Sequence, residues 1–502
     1  MQLTTAQTDR AVGVLLASAA GDALGAGYEF GSATPPVDGS PQMIGGGLGG
    51  FAPGEWTDDT AQAFAIAEVA ATGADLRSPA ALDAIAQRFA DWFAEGPADV
   101  GIQTAQVLGA AGAVTTAARM RAAADAVHER SGRSAGNGSL MRTAPVALAH
   151  LDDPAALVEA AVAVSALTHH DPLAGEAAAL WCLLVRHAVL TGTFVGARGE
   201  LRHLPPVAAE RWSAWLDEAE REQPGTFTTN GWAVGALQAA WSAIHHTPVP
   251  AHAPERLELP CLHLQHALET AVRIGHDTDT VAAIAGALLG ARWGASAVPW
   301  RWRRLLHGWP GPTTAGPSDA RRLVELATLT VRRGVADATG WPLVEEVTYA
   351  QRAAARATAY PFDPDVLLGT HATRGHGASA VVAACRVGRS QPSAAGAEVV
   401  VESRLVDHDD PAENPHLHFA LLDAADAVRG LRAEGHRVLL HCVAAQQRTP
   451  SIALALARLE GVDADLARDA VRSALPDARA RGALWDAAAE LGPAPGSTRV
   501  AS

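Results

Sequence analysis

Asp277-Thr278-Asp279-Thr280-Val281-Ala282-Ala283-Ile284-Ala285-Gly286-Ala287-Leu288-Leu289-Gly290 is the stretch on which the fold turns. Acids and hydroxyls ahead of an Ala-rich run mark a helix start, where a side-chain oxygen accepts from an orphan backbone N–H and negative charge favours the positive end of the dipole. The helix predicted over 281–290 carries Ala282, Ala283, Gly286, Ala287 and Gly290, small residues that let neighbouring helices approach closely. Its N-terminus is therefore expected at the centre of a helical bundle. Asp277 and Asp279 alternate in an extended segment, so both carboxylates point to one place just before the helix begins.

A second cluster, Thr57-Asp58-Asp59-Thr60, opens another Ala-rich stretch after a Gly-rich loop at 45–50. One residue suffices to cap a helix, yet each cluster supplies two carboxylates with flanking hydroxyls, and crowded carboxylates repel unless a cation neutralises them. Oxygen donors with no histidine between them suit a hard cation such as Mg²⁺ or Mn²⁺.

Around these clusters, from Thr8 to about Arg333, apolar residues recur at helical spacing between Gly- and Pro-bearing connections, which predicts an all-α domain over residues 1–345. The texture then changes. Strands are predicted at 380–385, 398–401 and 438–441, with helices at 419–434 and 450–459, so 363–495 reads as a small α/β domain. The stretch 346–362, with Tyr360-Pro361-Phe362-Asp363-Pro364 at its end, reads as a linker because proline discourages helix continuation. Two or three domains agree with 502 residues. A net charge of −15 disfavours nucleic-acid backbones and anionic membranes as partners. Cys182, Cys261, Cys385 and Cys442 form no CxxC pair. With no basic n-region at the start and no uninterrupted apolar run of spanning length, a cytoplasmic setting is expected.

The motifs Gly21-Asp22-Ala23-Leu24-Gly25, Thr57-Asp58-Asp59-Thr60, Gly136-Asn137-Gly138-Ser139-Leu140-Met141-Arg142, Ser165-Ala166-Leu167-Thr168-His169-His170-Asp171-Pro172 and the opening stretch follow one another in this order. Together they resemble the ADP-ribosylglycohydrolase family, of the dinitrogenase-reductase-activating glycohydrolase type, over about residues 8–335. The resemblance implies an all-α fold with two divalent cations, Mg²⁺ or Mn²⁺, held by Thr57, Asp58, Asp59, Asp277, Asp279 and Thr280. It implies hydrolysis of the C1″ glycosidic bond of an ADP-ribosylated protein or small molecule, with Asp58, Asp59 or Glu29 as the acid/base carboxylate. Gly138 and Ser139 would cradle the diphosphate, with His169 nearby. Family members often carry glycine where His276 stands.

Cys442 and Arg448, at the two ends of a Cys-x5-Arg pattern, follow a predicted strand and precede a helix. A helix N-terminus stabilises a thiolate, and the arginine can clamp a phosphoryl group bidentately. The stretch resembles the dual-specificity and tyrosine phosphatases. That resemblance makes Cys442 the nucleophile, Arg448 the phosphate clamp and Thr449 the aid to thiolate release, with Asp410 or Asp409 as general acid, acting on a phosphorylated substrate. Ala445 stands where many relatives carry glycine. Two contrasting readings remain open: a binding protein for ADP-ribose or a phosphorylated ligand without turnover, and a metal-dependent nucleotide phosphohydrolase.

Overall fold

The computed structural model describes residues 2–311, 318–350 and 357–495. Two compact units divide the chain: one comprises 1–248, 263–298 and 305–335, the other 249–262, 299–304 and 336–502. The second unit thus begins before residue 345 and borrows two short segments from within the first unit's sequence.

The first unit is helical, and its axis is a pair of antiparallel helices, Thr5–Gly25 and Thr278–Trp293. A Cβ added at Gly21, Gly286 or Gly290 would approach backbone atoms of the opposite helix closer than 3.0 Å, which real Cβ atoms essentially never show. The small residues of the opening stretch therefore do what their spacing predicts. A Cβ at Gly25 would collide with the Thr278–Asp279 backbone, so the end of one helix is pinned to the start of the other. Thr278 Oγ1 reinforces the join by donating to Gly25 O at 2.8 Å. The helices Asp58–Ala70, Pro172–Thr191, Ala233–His246 and His263–Arg273 surround this pair.

Thr5–Gly31 and Pro172–Thr191 are long and apolar enough to cross a membrane by length and composition, although charged residues such as Asp22, Glu176 and Arg186 interrupt them. Within the fold 100% and 72% of their apolar windows are buried, as suits core helices.

The second unit is an α/β layer. Its strands are β1 (Thr358–Tyr360), β2 (Asp363–Thr370), β3 (Ala380–Ala383), β4 (Val399–Glu402) and β5 (Val438–Cys442), in the order β1-β2-β5-β3-β4. β1 is antiparallel to β2, and the other pairs are parallel. Helices Leu417–Ala433 and Arg448–Leu459 cover the sheet around a core of Val366, Leu368, Val382, Leu421, Leu440 and Ile452. Two strands escape the sequence reading. β1 lies in the stretch read as linker, of which 351–356 fall outside the described residues, and β2 opens on Asp363-Pro364, a pair that reads as a breaker although proline is tolerated at a strand start.

Candidate functional site

The pinned ends of the central helix pair gather the acids. Asp22, in the last turn of the first helix, is 0% exposed. Its carboxylate accepts from Thr57 N at 2.9 Å, Thr60 N at 3.0 Å and Thr60 Oγ1 at 2.6 Å. One buried acid thus fastens the Asp58–Ala70 helix to the central pair and turns the Thr57-Asp58-Asp59-Thr60 cluster toward Asp277 and Asp279. The chain leaves the first helix through a short 3₁₀ turn that carries Glu29, and Phe30 N donates to His276 O at 2.7 Å.

Carboxylate oxygens of Glu29, Asp277 and Asp279 lie within 4.8 Å of one another. Asp59 Oδ2 accepts from Thr57 Oγ1 at 3.3 Å and from Thr280 Oγ1 at 3.2 Å, so it bridges the two clusters. Asp58 Oδ2 accepts from Gln62 Nε2 at 3.1 Å and Gly101 N at 3.4 Å. The two acidic segments are thus joined through Thr280 and Asp59, and Glu29 stands with Asp277 and Asp279.

Such crowding has an electrostatic cost. Burial first, then neighbouring carboxylates, push Asp58, Asp59 and Asp279 well above the usual carboxylate range. Burial and then Asp99 raise Glu29 to about 8. Burial raises Asp22 to about 6 even against its hydrogen bonds. Three oxygens of the cluster, Glu29 Oε2, Asp59 Oδ1 and Asp279 Oδ1, are buried without a hydrogen-bond partner among the described residues. Buried polar atoms normally find one. Unpartnered carboxylate oxygens in one buried acidic cluster, with hydroxyls beside them, fit hard divalent cations.

The glycine loop reaches the same place. Asn137 Nδ2 donates to Asp277 Oδ2 at 2.8 Å and to Asn230 O at 2.9 Å. His169 lies against this loop, its Nε2 3.3 Å from where a Cβ would stand on Gly136 and 3.5 Å from the same point on Gly138. Ser139 is fully buried, and its hydroxyl accepts from Ser165 Oγ at 2.9 Å, so the backbone rather than that hydroxyl is what the loop offers a ligand. Three residues escaped the sequence reading of the site. Asp22 and Asn137 stand inside quoted motifs, where a polar residue between small ones was the available signal. Asp99, which faces Glu29, Asp58 and Asp277, sits in a Gly/Pro loop that offers none.

In the α/β unit, Cys442 ends the central strand and Arg448 opens the following helix. The C-terminal ends of parallel strands, where neighbouring connections diverge, form a natural ligand crevice. Arg448 Nη1 donates to Ala384 O at 2.6 Å, and its Nε lies 3.6 Å from Asp407 Oδ2. Thr449 Oγ1 is buried without a hydrogen-bond partner among the described residues. Of the two acids expected to face the cysteine, Asp409 bonds to a distant segment and Asp410 bonds within its own loop. Asp409 Oδ1 accepts from Ala483 N at 2.9 Å, capping the helix Ala483–Glu490, and Asp410 Oδ1 accepts from Ala412 N at 2.9 Å. Asp407 is the acid of that loop that meets Arg448.

Comparison with known proteins agrees with the helical geometry. A profile of the family described as ADP-ribosylglycohydrolase matches residues 3–337. The chain is 29% identical to ADP-ribosyl-dinitrogen reductase glycohydrolase of Rhodospirillum rubrum over 302 residues, 59% of this chain and 89% of that protein. It is 28% identical to ADP-ribosylarginine hydrolase Tri1 of Pseudomonas putida (strain GB-1) over 299 residues, 59% of this chain and 73% of that one. Among solved structures, a mouse putative dual specificity phosphatase complexed with zinc tungstate aligns at 23% identity with a TM-score of 0.23, covering 28% of this chain and 89% of its own.

Proposed function

The chain belongs to the ADP-ribosylglycohydrolase family, and from that premise we propose that its helical unit hydrolyses the C1″ glycosidic bond of an ADP-ribosyl group carried on a protein side chain, releasing ADP-ribose. The relatives named above act on ADP-ribosylated dinitrogen reductase and on ADP-ribosylarginine. The observation that carries the proposal is the trio of buried, unpartnered oxygens on Glu29, Asp59 and Asp279.

Thr57, Asp58, Asp59, Asp277, Asp279 and Thr280 would hold two divalent cations, Mg²⁺ or Mn²⁺. When bound, such ions offset the carboxylate charge and polarise the oxygens presented to them. The protein's own groups do the rest. Asp22 and Asn137, each bonded to a cluster, hold the two acidic segments in register. The loop 136–138 and His169 receive the diphosphate. Glu29, on the connecting turn and next to the exposed Phe30, is the carboxyl best situated to move a proton at the glycosidic bond, with Asp58 and Asp59 as the alternatives. Burial, and then Asp99 by like-charge repulsion, shift the Glu29 carboxyl toward its protonated form.

The test is release of free ADP-ribose from proteins modified on arginine and on serine, followed by chromatography with Mg²⁺, with Mn²⁺ and after chelation. Asp59→Asn and Asp279→Asn are expected to lower kcat/KM at least about a hundredfold, in the range for removing an electrostatic element of a site. Turnover that survives chelation sinks the metal assignment. Absence of release from every substrate sinks the hydrolase.

For the α/β unit the position of Cys442 and Arg448 at the crevice end of the sheet favours a second activity, hydrolysis of a phosphate ester. Cys442 would attack phosphorus, Arg448 would leave Ala384 O to clamp the phosphoryl oxygens, Thr449 would assist thiolate departure, and Asp407 takes the acid's place given to Asp409 or Asp410. Turnover of an aryl phosphate that vanishes in Cys442→Ser supports this; equal turnover in that variant rejects it.

A further inference from the structure

Arg142 lies between the two halves of the helical unit's site without belonging to either. It is 0% exposed, its guanidinium stands 4.5 Å over the Phe89 ring, and its Nε has no hydrogen-bond partner among the described residues. A buried cation so sparsely bonded burdens stability. Its two hydrogen bonds explain what it is for. Nη1 donates to Gln62 Oε1 at 2.5 Å, and Nη2 donates to Thr168 Oγ1.

Proton counting along each bond fixes what lies beyond it. With Gln62 Oε1 taken as acceptor, the amide must turn its Nε2 the other way, where it donates to Asp58 Oδ2 at 3.1 Å. The flipped amide would set an NH₂ against the guanidinium. On the other arm, Thr168 Oγ1 accepts from Arg142, and its single proton needs an acceptor. The acceptor is His169 Nδ1 at 2.8 Å, and Thr168 is itself fully buried, so no solvent offers an alternative. A neutral imidazole that accepts at Nδ1 carries its proton on Nε2. That nitrogen faces Gly136 and Gly138. Burial, and then Arg142, hold the His169 imidazole well below its ordinary range, which keeps it neutral.

We infer that Arg142 is a positioning residue that sets, through Thr168, the Nε2–H tautomer of His169 and, through Gln62, the donor presented to Asp58, so that one buried guanidinium registers the anion-binding half of the site against its acid-bearing half. The tautomer follows from the hydrogen bonds alone. The ligand it serves, a diphosphate accepting from Nε2–H, rests on the ADP-ribosyl reading above.

The test labels the full-length protein with ¹⁵N-histidine and reads the His169 tautomer by long-range ¹H–¹⁵N correlation, with ADP-ribose affinity measured by calorimetry. Wild type is expected to show Nε2–H. Thr168→Val, which removes the relay hydroxyl but leaves the Gln62 arm, is expected to populate Nδ1–H and weaken ADP-ribose by about tenfold, the scale of one hydrogen bond to a charged group. Thr168→Ser restores both. Arg142→Gln is expected to reproduce the Thr168→Val effects and also to lower kcat, whereas Thr168→Val acts chiefly on KM. An Nδ1–H tautomer in wild type, or a folded Thr168→Val protein that keeps Nε2–H and full affinity, overturns the inference. Should Arg142→Gln fail to fold, the Thr168 pair still decides. Wild type that binds no ADP-ribose at all rejects the hydrolase reading, and the tautomer then decides this one by itself.

Discussion

His276 and Ala445 stand at the edges of the two sites with φ of 62° and 53°, in the left-handed region that favours glycine. They are the same two positions at which the chain departs from the glycine of its resemblances. A Cβ in that region costs about 1–2 kcal/mol, partly offset because a glycine would gain freedom in the unfolded chain. Ala445→Gly is therefore expected to stabilise the α/β unit by up to about 1 kcal/mol, read from urea melts, and to raise any aryl-phosphate turnover by relaxing the loop between Cys442 and Arg448. A loss of stability would show that the loop holds no strain. The acids allow a second prediction with a definite sign. Burial and crowding raise Glu29 to about 8 and Asp22 to about 6, with Asp58, Asp59 and Asp279 raised as well, whereas free carboxyls titrate near about 4. Between about pH 4 and 8 the acidic site of the folded, chelated protein thus holds more protons than the same groups in the unfolded chain, and its contribution to stability falls as pH rises. Divalent cations compete with those protons, so the rise in Tm on adding Mn²⁺ is expected to grow across the same window. A Tm increment that does not change with pH would contradict this account.

At the scale of the element, the crossing of Thr5–Gly25 with Thr278–Trp293 makes the site, because it brings Asp22 and Glu29 to Asp277 and Asp279. Gly286→Leu would force the two backbones apart, and a destabilisation of about 3 kcal/mol or more is expected, at the upper end for overpacking, with loss of hydrolysis as the acidic segments separate. Gly109→Ala serves as the contrast: a Cβ there meets nothing within 4 Å in the helix Ile102–Ala111, so stability should rise by about 0.5–1 kcal/mol with turnover unchanged. Equal behaviour of the two variants in thermal melts would refute the close-crossing argument. This element was legible in advance because small residues at helical spacing have few other uses, and the acids next to them exceeded what capping requires. Asp22 was not, since an acid between glycines gives no sign that its carboxylate will fasten a second helix by three hydrogen bonds. Nor was the engagement of Asp409, whose bond to Ala483 N joins segments far apart in sequence. β1 and β2 were missed because prolines beside short strands give the same local signal as a linker.

At the scale of the molecule, the change of texture near residue 345 foretells a second kind of fold, and what it does not foretell is that residues 299–304 belong to it. Trp300-Arg301-Trp302-Arg303 is a single helical turn that reads as one more piece of the bundle. In the fold Trp300 joins the α/β core, 3% exposed, its N donating to Asp423 Oδ1 at 2.7 Å and its Nε1 to Asp426 Oδ2 at 2.9 Å. Arg303 Nη2 donates to Asp423 Oδ2 at 2.9 Å. Asp423 is itself buried, and burial raises its carboxyl despite that arginine. Gly430 has no room for a Cβ because the Trp300 ring fills the space. A fragment of residues 336–502 therefore lacks an indole from its core and leaves a buried carboxylate without its cation, a loss of about 3–5 kcal/mol for each defect, comparable with the whole stability of a small domain. Even with residues 249–262 supplied, such a fragment is expected to give the dispersed amide spectrum of a folded domain only when residues 299–304 are supplied as well, whereas Trp300→Ala in the full chain should lower the melting of the α/β unit. A well-dispersed spectrum from 336–502 alone would show that the borrowed turn is ornamental.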